Sequence, residues 1–168
     1  MLLAQGAPLA GIGLQSHFGW DLTAPTMILK ELDRFGELGL ELEITEHDID
    51  ITDEQAQADY TRDFMTLAFS HPAVTGFLSW GFWEGMHWKP TGAYFRKDWS
   101  LKPAGKVWID LVTEKWWTSA EGKTTGNGTY QTRGFLGDYE VVVRKGSQVK
   151  TLRFPLTKTT EPLAITLE

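Results

Sequence analysis

Residues 39–50 read Gly-Leu-Glu-Leu-Glu-Ile-Thr-Glu-His-Asp-Ile-Asp, and they constrain the fold more tightly than any other stretch. Taken as a strand with a side-chain period of two, they place Leu40, Leu42, Ile44, Glu46 and Asp48 on one face and Glu41, Glu43, Thr45, His47 and Ile49 on the other. Aliphatic positions that run directly into two carboxylates describe a buried face ending at a site. The opposite face is unusually acidic for one that helices should cover, which implies partial exposure there.

The flanking segments say what kind of sheet this strand joins. Residues 1–10 read as the tail of a helix followed by the turn Gly6-Ala7-Pro8. Residues 11–17 read as a strand with Gly11, Gly13, Gln15 and His17 on one side and Ile12 and Leu14 on the other. A helix is expected over residues 24–38, with Thr23 as N-cap, Pro25 in the first turn, and Ile28, Leu32 and Phe35 at helical spacing. After the central strand, Thr52 and Gln55 have capping-box spacing, and a helix follows until His71-Pro72 stops it. Residues 74–80 then alternate Val74, Gly76, Leu78 and Trp80 against Thr75, Phe77 and Ser79, a third strand. A long loop over residues 81–101 carries Phe82, Trp83, Trp88, Tyr94, Phe95 and Trp99, and Pro103 opens a helix to about Lys115.

Strands separated by helices of this length pair in parallel through right-handed crossovers, giving an α/β sheet or part of a (β/α) barrel. Their C-terminal ends carry Gln15 with His17, Glu46 with Asp48, and Trp80, and in such barrels the βα loops converge on that end to form the active site. Residues 1–117 are thus expected to form one α/β unit. Residues 118–129, rich in Gly, Thr, Ser and Lys, read as a linker. Residues 130–168 offer short β-rich runs at 139–143, 148–154 and 163–167, expected to make a small antiparallel appendage.

Composition excludes several classes. The 168 residues carry a net charge of −6, with no basic stripe, which argues against a nucleic-acid partner. There is no cysteine, so disulfide and thiolate chemistry are excluded and a zinc site would need His and carboxylate ligands alone. No apolar run approaches the ~18 residues of a membrane span, and the first ten residues make a poor signal peptide. Eight tryptophans are many for this length, and some of them are expected to meet a ligand, since indoles suit flat, partly wet surfaces.

At the strand ends, His17 is expected to hydrogen-bond both Glu46 and Asp48. A carboxylate held by an imidazole that a second carboxylate orients stays ionised and fixed in direction, as a nucleophile requires. Alternatively, the three residues merely satisfy one another in a polar barrel end. A metal site built on Glu46, Asp48 and Asp50 would need His17 or His87, because alternation sends His47 to the opposite face. Asn127-Gly128-Thr129 matches a glycosylation sequon.

Three ordered motifs resemble one family: Gly11-Ile12-Gly13-Leu14-Gln15-Ser16-His17, Ile44-Thr45-Glu46-His47-Asp48, and Trp80-Gly81-Phe82-Trp83-Glu84-Gly85 with His87-Trp88. They resemble strands six, seven and eight of glycoside hydrolase family ten, the retaining endo-β-1,4-xylanases, whose fold is a (β/α)8 barrel. Residues 69–74 and 133–139 are similar to the family too, the latter to a C-terminal extension of some members. The resemblance implies that Glu46 is the catalytic nucleophile, with His17 and Asp48 as its hydrogen-bonded support. It implies that Gln15, Trp80 and Trp88 line sugar subsites for xylan or xylo-oligosaccharides, that no cofactor is used, and that the protein is secreted. Trp83 and Trp99 either meet substrate or pack the loop. His47 replaces the apolar residue usual between nucleophile and aspartate, a change expected to alter packing more than chemistry.

A retaining glycosidase also needs a second carboxyl about 5 to 5.5 Å from the nucleophile. In the family it belongs to an Asn-Glu pair on strand four, and this sequence contains no Asn-Glu dipeptide. Glu84 is a local carboxylate that does not match it. The expectation is therefore a fragment that lacks the general acid/base, is inactive alone, and depends on the missing N-terminal half of the barrel, since three strands cannot close and leave unpaired edges. The alternative is a non-catalytic xylan-binding protein.

Overall fold

Strand β3 (Glu41–Ile49) lies at the centre of its sheet in the computed structural model, which describes residues 2–167. The strand expected over residues 11–17 is interrupted: β1 (Gly11–Leu14) and β2 (His17–Phe18) flank Ser16, whose φ of 62° is left-handed. Both pair in parallel with β3, and β4 (Val74–Ser79) pairs in parallel with its other edge. The outer edges of β1 and β4 have no strand partner among the described residues.

The even alternation expected for β3 is broken by one extra residue. Ile44 stands opposite Leu14 but Asp48 stands opposite His17, so β3 spends four residues where its neighbour spends three. Toward β4, Ile44 faces Phe77 and His47 faces Ser79, again one residue too many on β3. The backbone agrees: Leu42 donates its N–H toward the β4 side, to Ala73 O, whereas Glu46, of the same parity, donates to Gln15 O on the β1 side. Residues 45 and 46 thus form a β-bulge.

The bulge corrects the expected faces. Leu42 and Ile44 do not share a face with Glu46 and Asp48. They are fully buried against the helices, with His47 and Ile49 after the bulge. Glu43 and Thr45 point the other way, against Gly76 and Gly13 of the neighbouring strands. The acidic side of the strand is therefore the open face, and the aliphatic side is the one that helices cover. A second irregularity, at Thr75 of β4, likewise puts both Val74 and Phe77 on the core, against the alternation expected there.

Helix α1 (Pro25–Gly36) starts at Pro25 and buries Ile28 and Leu32. Its N-cap is Ala24, with no side-chain bond, so Thr23 does not cap it; Thr23 instead offers its carbonyl to the Tyr60 hydroxyl at 2.7 Å. Helix α2 (Glu54–Ser70) packs Tyr60, Phe64 and Ala68 into the same core and ends at His71, as expected. Its cap is Asp53 rather than Thr52: the carboxylate accepts from the N–H groups of Gln55 and Ala56, both at 3.0 Å. Helix α3 (Pro103–Asp110) follows the aromatic loop and packs through Ala104 on Ala58 and Tyr94, with a π-helical turn at Leu111–Lys115.

The chain divides into two compact units, Met1–Val112 and Thr113–Glu168. The second contains the antiparallel hairpin β5 (Gly137–Lys145) and β6 (Gln148–Leu156). The third β run expected at residues 163–167 is not a strand. No helix among the described residues is long and apolar enough to cross a membrane.

The Asp53 cap gives a direct test. Asp53→Ala is expected to lower stability by about 1 kcal/mol, and Thr52→Ala by less than about 0.5 kcal/mol, in urea titrations followed by circular dichroism.

Candidate active site

The open face of the sheet gathers its functional groups at the C-terminal ends of the strands. His17 projects from β2 and lies between two carboxylates of β3, with Nδ1 2.9 Å from Asp48 Oδ1 and Nε2 3.2 Å from Glu46 Oε2. The ring can donate to both only as an imidazolium; as a neutral ring it donates to one. Glu46 keeps its other oxygen without a partner among the described residues, and about a quarter of its side chain reaches solvent.

Asp48 is nearly closed off. Its Oδ2 accepts from the Trp88 indole N–H at 2.6 Å, and His87 Nε2 lies 3.8 Å away. The Lys89 N–H donates to His87 Nδ1, so the neutral ring carries its proton on Nε2, facing Asp48. Burial lowers the His87 pKa and the Asp48 charge opposes that shift. Trp88 and Trp80 meet the His17 ring edge-on, with centroids 5.1 and 6.2 Å away, and both indoles are about half exposed. Gln15 holds Glu46 through its backbone carbonyl and leaves its side chain exposed. The structure therefore brings together His17, Glu46, Asp48, Trp80 and Trp88, with Gln15 alongside.

His47 takes the opposite role from His17. It is fully buried on the helix side of β3, stacked on Phe64 at 4.9 Å and edge-on to Phe77 and Phe18. Its Nδ1 must donate to Ser16 O, 3.2 Å away, since a carbonyl only accepts. Nε2 then holds a lone pair with no hydrogen-bond partner among the described residues, and a proton there would sit among aromatic rings. Burial accordingly pushes its pKa down to about 4.

Glu84 is anchored in the loop wall. It pairs with the buried Lys102 at 3.2 Å and accepts from the Lys97 N–H, and the Lys102 ammonium, through its hydrogen bond, holds the Glu84 pKa below the ordinary carboxylate range. A general acid needs the reverse shift. Two further residues of this wall had no signal in the sequence. Lys102 donates to the carbonyls of Pro90 and Thr91, and Gln57 of α2 ties Ile49 O to Thr91 O at 2.7 and 2.8 Å. Among the described residues, no group of three or more His, Cys, Asp or Glu is arranged to hold a metal ion.

The sequence profile of Glycosyl hydrolase family 10 matches residues 1–110. The chain belongs to this family. Its sheet and helices are part of the family's (β/α)8 barrel, from the C-terminal portion. Xylanase 10B of Thermotoga petrophila, solved with xylobiose, superposes with a TM-score of 0.60 at 26% identity over 68% of this chain and 39% of that one. Endo-1,4-beta-xylanase 1 of Arabidopsis thaliana is 34% identical over 99% of this chain and 18% of its own length. The anti-sigma-I factor RsgI6 of Acetivibrio thermocellus is 39% identical over 84% of this chain and 19% of its own. The chain thus spans about a fifth of the length of these two curated relatives.

His47 makes stability pH-dependent. Its folded pKa lies below the unfolded value, so the unfolded chain binds the proton first and stability falls as pH drops from 6.5 toward about 4. At roughly 1.4 kcal/mol per pH unit the loss approaches about 3 kcal/mol. His47→Leu is expected to flatten this slope in urea midpoints measured between those pH values.

Proposed function

We propose that this chain carries the nucleophile side of a retaining endo-1,4-β-xylanase, with Glu46 as nucleophile and His17 and Asp48 positioning it. The observation that carries the reading is the shared imidazole, 3.2 Å from Glu46 and 2.9 Å from Asp48. It fixes the Glu46 carboxylate in direction while being fixed itself from the far side, and a nucleophile gains from both. Membership of the family and the xylobiose bound to the Thermotoga petrophila relative favour xylan and xylo-oligosaccharides as substrate. Trp80, Trp88 and Gln15 line the sugar subsites in this reading, the indole faces meeting the C–H surfaces of xylose units.

A Glu46 oxygen bonds to the anomeric carbon as the glycosidic bond breaks, and the bonding pair leaves on the departing oxygen, which takes a proton from a general acid. The same carboxyl group, now a base, takes a proton from water, which displaces Glu46 and releases the sugar. Glu84, held ionised by Lys102, does not fit the acid role. The acid belongs instead to polypeptide completing the barrel beside these strands, which are numbers six to eight in this reading. Support for such a neighbour comes from the unpaired edges of β1 and β4 and from an apolar cleft of about 240 Å³ lined by Leu14, Phe18, Ile28, Leu32 and Phe35. Residues 118–129 are then a linker, residues 130–168 an appendage, and the work is done outside the cell, where xylan lies.

A reducing-sugar assay on xylan tests this, with the chain alone and after mixing with a separately expressed N-terminal barrel portion of a family xylanase. Hydrolysis is expected only in the mixture, and Glu46→Ala should reduce it on the order of a thousandfold or more. Hydrolysis by the chain alone, or a mixture that Glu46→Ala leaves active, would sink the assignment.

A further inference from the structure

Beyond the rings around His17, a second aromatic cluster stands on the loop before α3. Trp99 stacks on Trp83 with centroids 5.2 Å apart and planes 10° from parallel, and Phe82 and Phe95 tilt against it at 6.3 and 6.2 Å. Trp83 is pressed in turn against Gly85, where even a Cβ would meet the indole ring at 2.3 Å. The indole N–H of Trp83 donates to Lys97 O. Glycine backbone, indole and indole are thus layered outward, and the last layer, Trp99, remains 58% exposed.

That exposure is imposed by the backbone. Trp99 has a φ of 67°, in the left-handed region that bulky residues avoid. The loop is fastened on both sides of it: Trp99 N–H donates to Arg96 O, Arg96 N–H donates to Ser100 O, and Asp98 accepts from the Ser100 N–H and hydroxyl. The Arg96 guanidinium is clamped by both Glu54 oxygens, at 2.5 and 2.7 Å. A strained residue held outward, with its ring backed by a second ring, is a rigid flat surface that loses little conformational freedom when something stacks on it. Its amphipathic indole suits a ligand with apolar C–H faces and polar edges.

We propose that Trp99, braced by Trp83, is a stacking platform for a β-1,4-linked xylose chain, separate from the Trp80 and Trp88 pair that touches His17. The choice of sugar rests on the xylanase reading above. The platform would hold polysaccharide on the loop wall while Trp80 and Trp88 meet the units beside Glu46.

Affinity electrophoresis of the full chain in gels containing soluble xylan tests it, with Trp99→Ala, Trp99→Tyr and the Trp80→Ala/Trp88→Ala double variant. Xylan should retard the wild type, Trp99→Ala should weaken apparent affinity about tenfold, and Trp99→Tyr should restore most of it. The double variant should retain a retardation that adding Trp99→Ala removes. Trp99→Ala migrating like the wild type, or Trp99→Tyr failing with it, overturns the platform. So does concentration-dependent self-association that Trp99→Ala abolishes while retardation by xylan is unchanged, which would make the patch a contact between copies. A wild type that xylan does not retard also overturns it, whereas the catalytic reading stands or falls on the mixing assay.

Discussion

One extra residue in β3 governs the arrangement of everything around it. Without the bulge at Thr45 and Glu46, strand alternation would continue Leu42 and Ile44 into Glu46 and Asp48, and the carboxylates would point into the helix layer. Two charges there would meet Phe64 and Ile28 rather than His17, a desolvation that no apolar partner offsets. The bulge lets a single strand keep an aliphatic face for the helices and still turn Glu46 and Asp48 to the open face. Bulges next to sites re-aim side chains in this way.

The elements themselves were legible because each carries local chemistry: Pro25 and Pro103 open helices, His71-Pro72 closes one, and Gly39 precedes the central strand. The pairing of His17 with Glu46 and Asp48 could also be anticipated, since parallel strands bring their C-terminal ends together. The face assignment of β3 could not, because a period of two carries no mark for an inserted residue. Its trace was the pair Glu41 and Glu43, too acidic for a helix-covered face, and that excess of charge is the sequence's record of the bulge. The caps failed for a related reason: Thr52 and Asp53 both suit an N-cap, and only the backbone turn decides which carboxylate or hydroxyl meets the free N–H groups. Lys102 and Gln57 had no local signal, because their partners are backbone carbonyls 8 to 34 residues away in sequence.

The site is held by donors and acceptors that differ in kind on its two sides. Asp48 faces an imidazole and an indole N–H, with a second imidazole near by, so its charge is spread over fixed donors. Among the described residues, Glu46 has one such partner, the shared His17 ring, and an oxygen with none. Two carboxylates two residues apart are thereby made unequal: Asp48 is buried with a donor group against each oxygen, and Glu46 retains an oxygen without a partner among the described residues and with access to solvent. Only the second condition leaves an oxygen open to an approaching molecule.

The two histidines of this region are coupled through a single peptide group. His47 donates from the helix side to the carbonyl of Ser16, the left-handed residue that immediately precedes His17. The kink that separates β1 from β2 is therefore tied from behind by one imidazole, while the other emerges from it to bridge the carboxylates. The tie requires the proton of His47 on Nδ1 and the lone pair on Nε2, which burial among Phe18, Phe64 and Phe77 enforces. An apolar residue at position 47 would pack as well and carry no pH dependence, but it would leave the Ser16 carbonyl without this donor. The hydrogen bond thus fixes the backbone that presents His17, while the acid sensitivity of the core comes from the burial of the same imidazole, which the bond opposes.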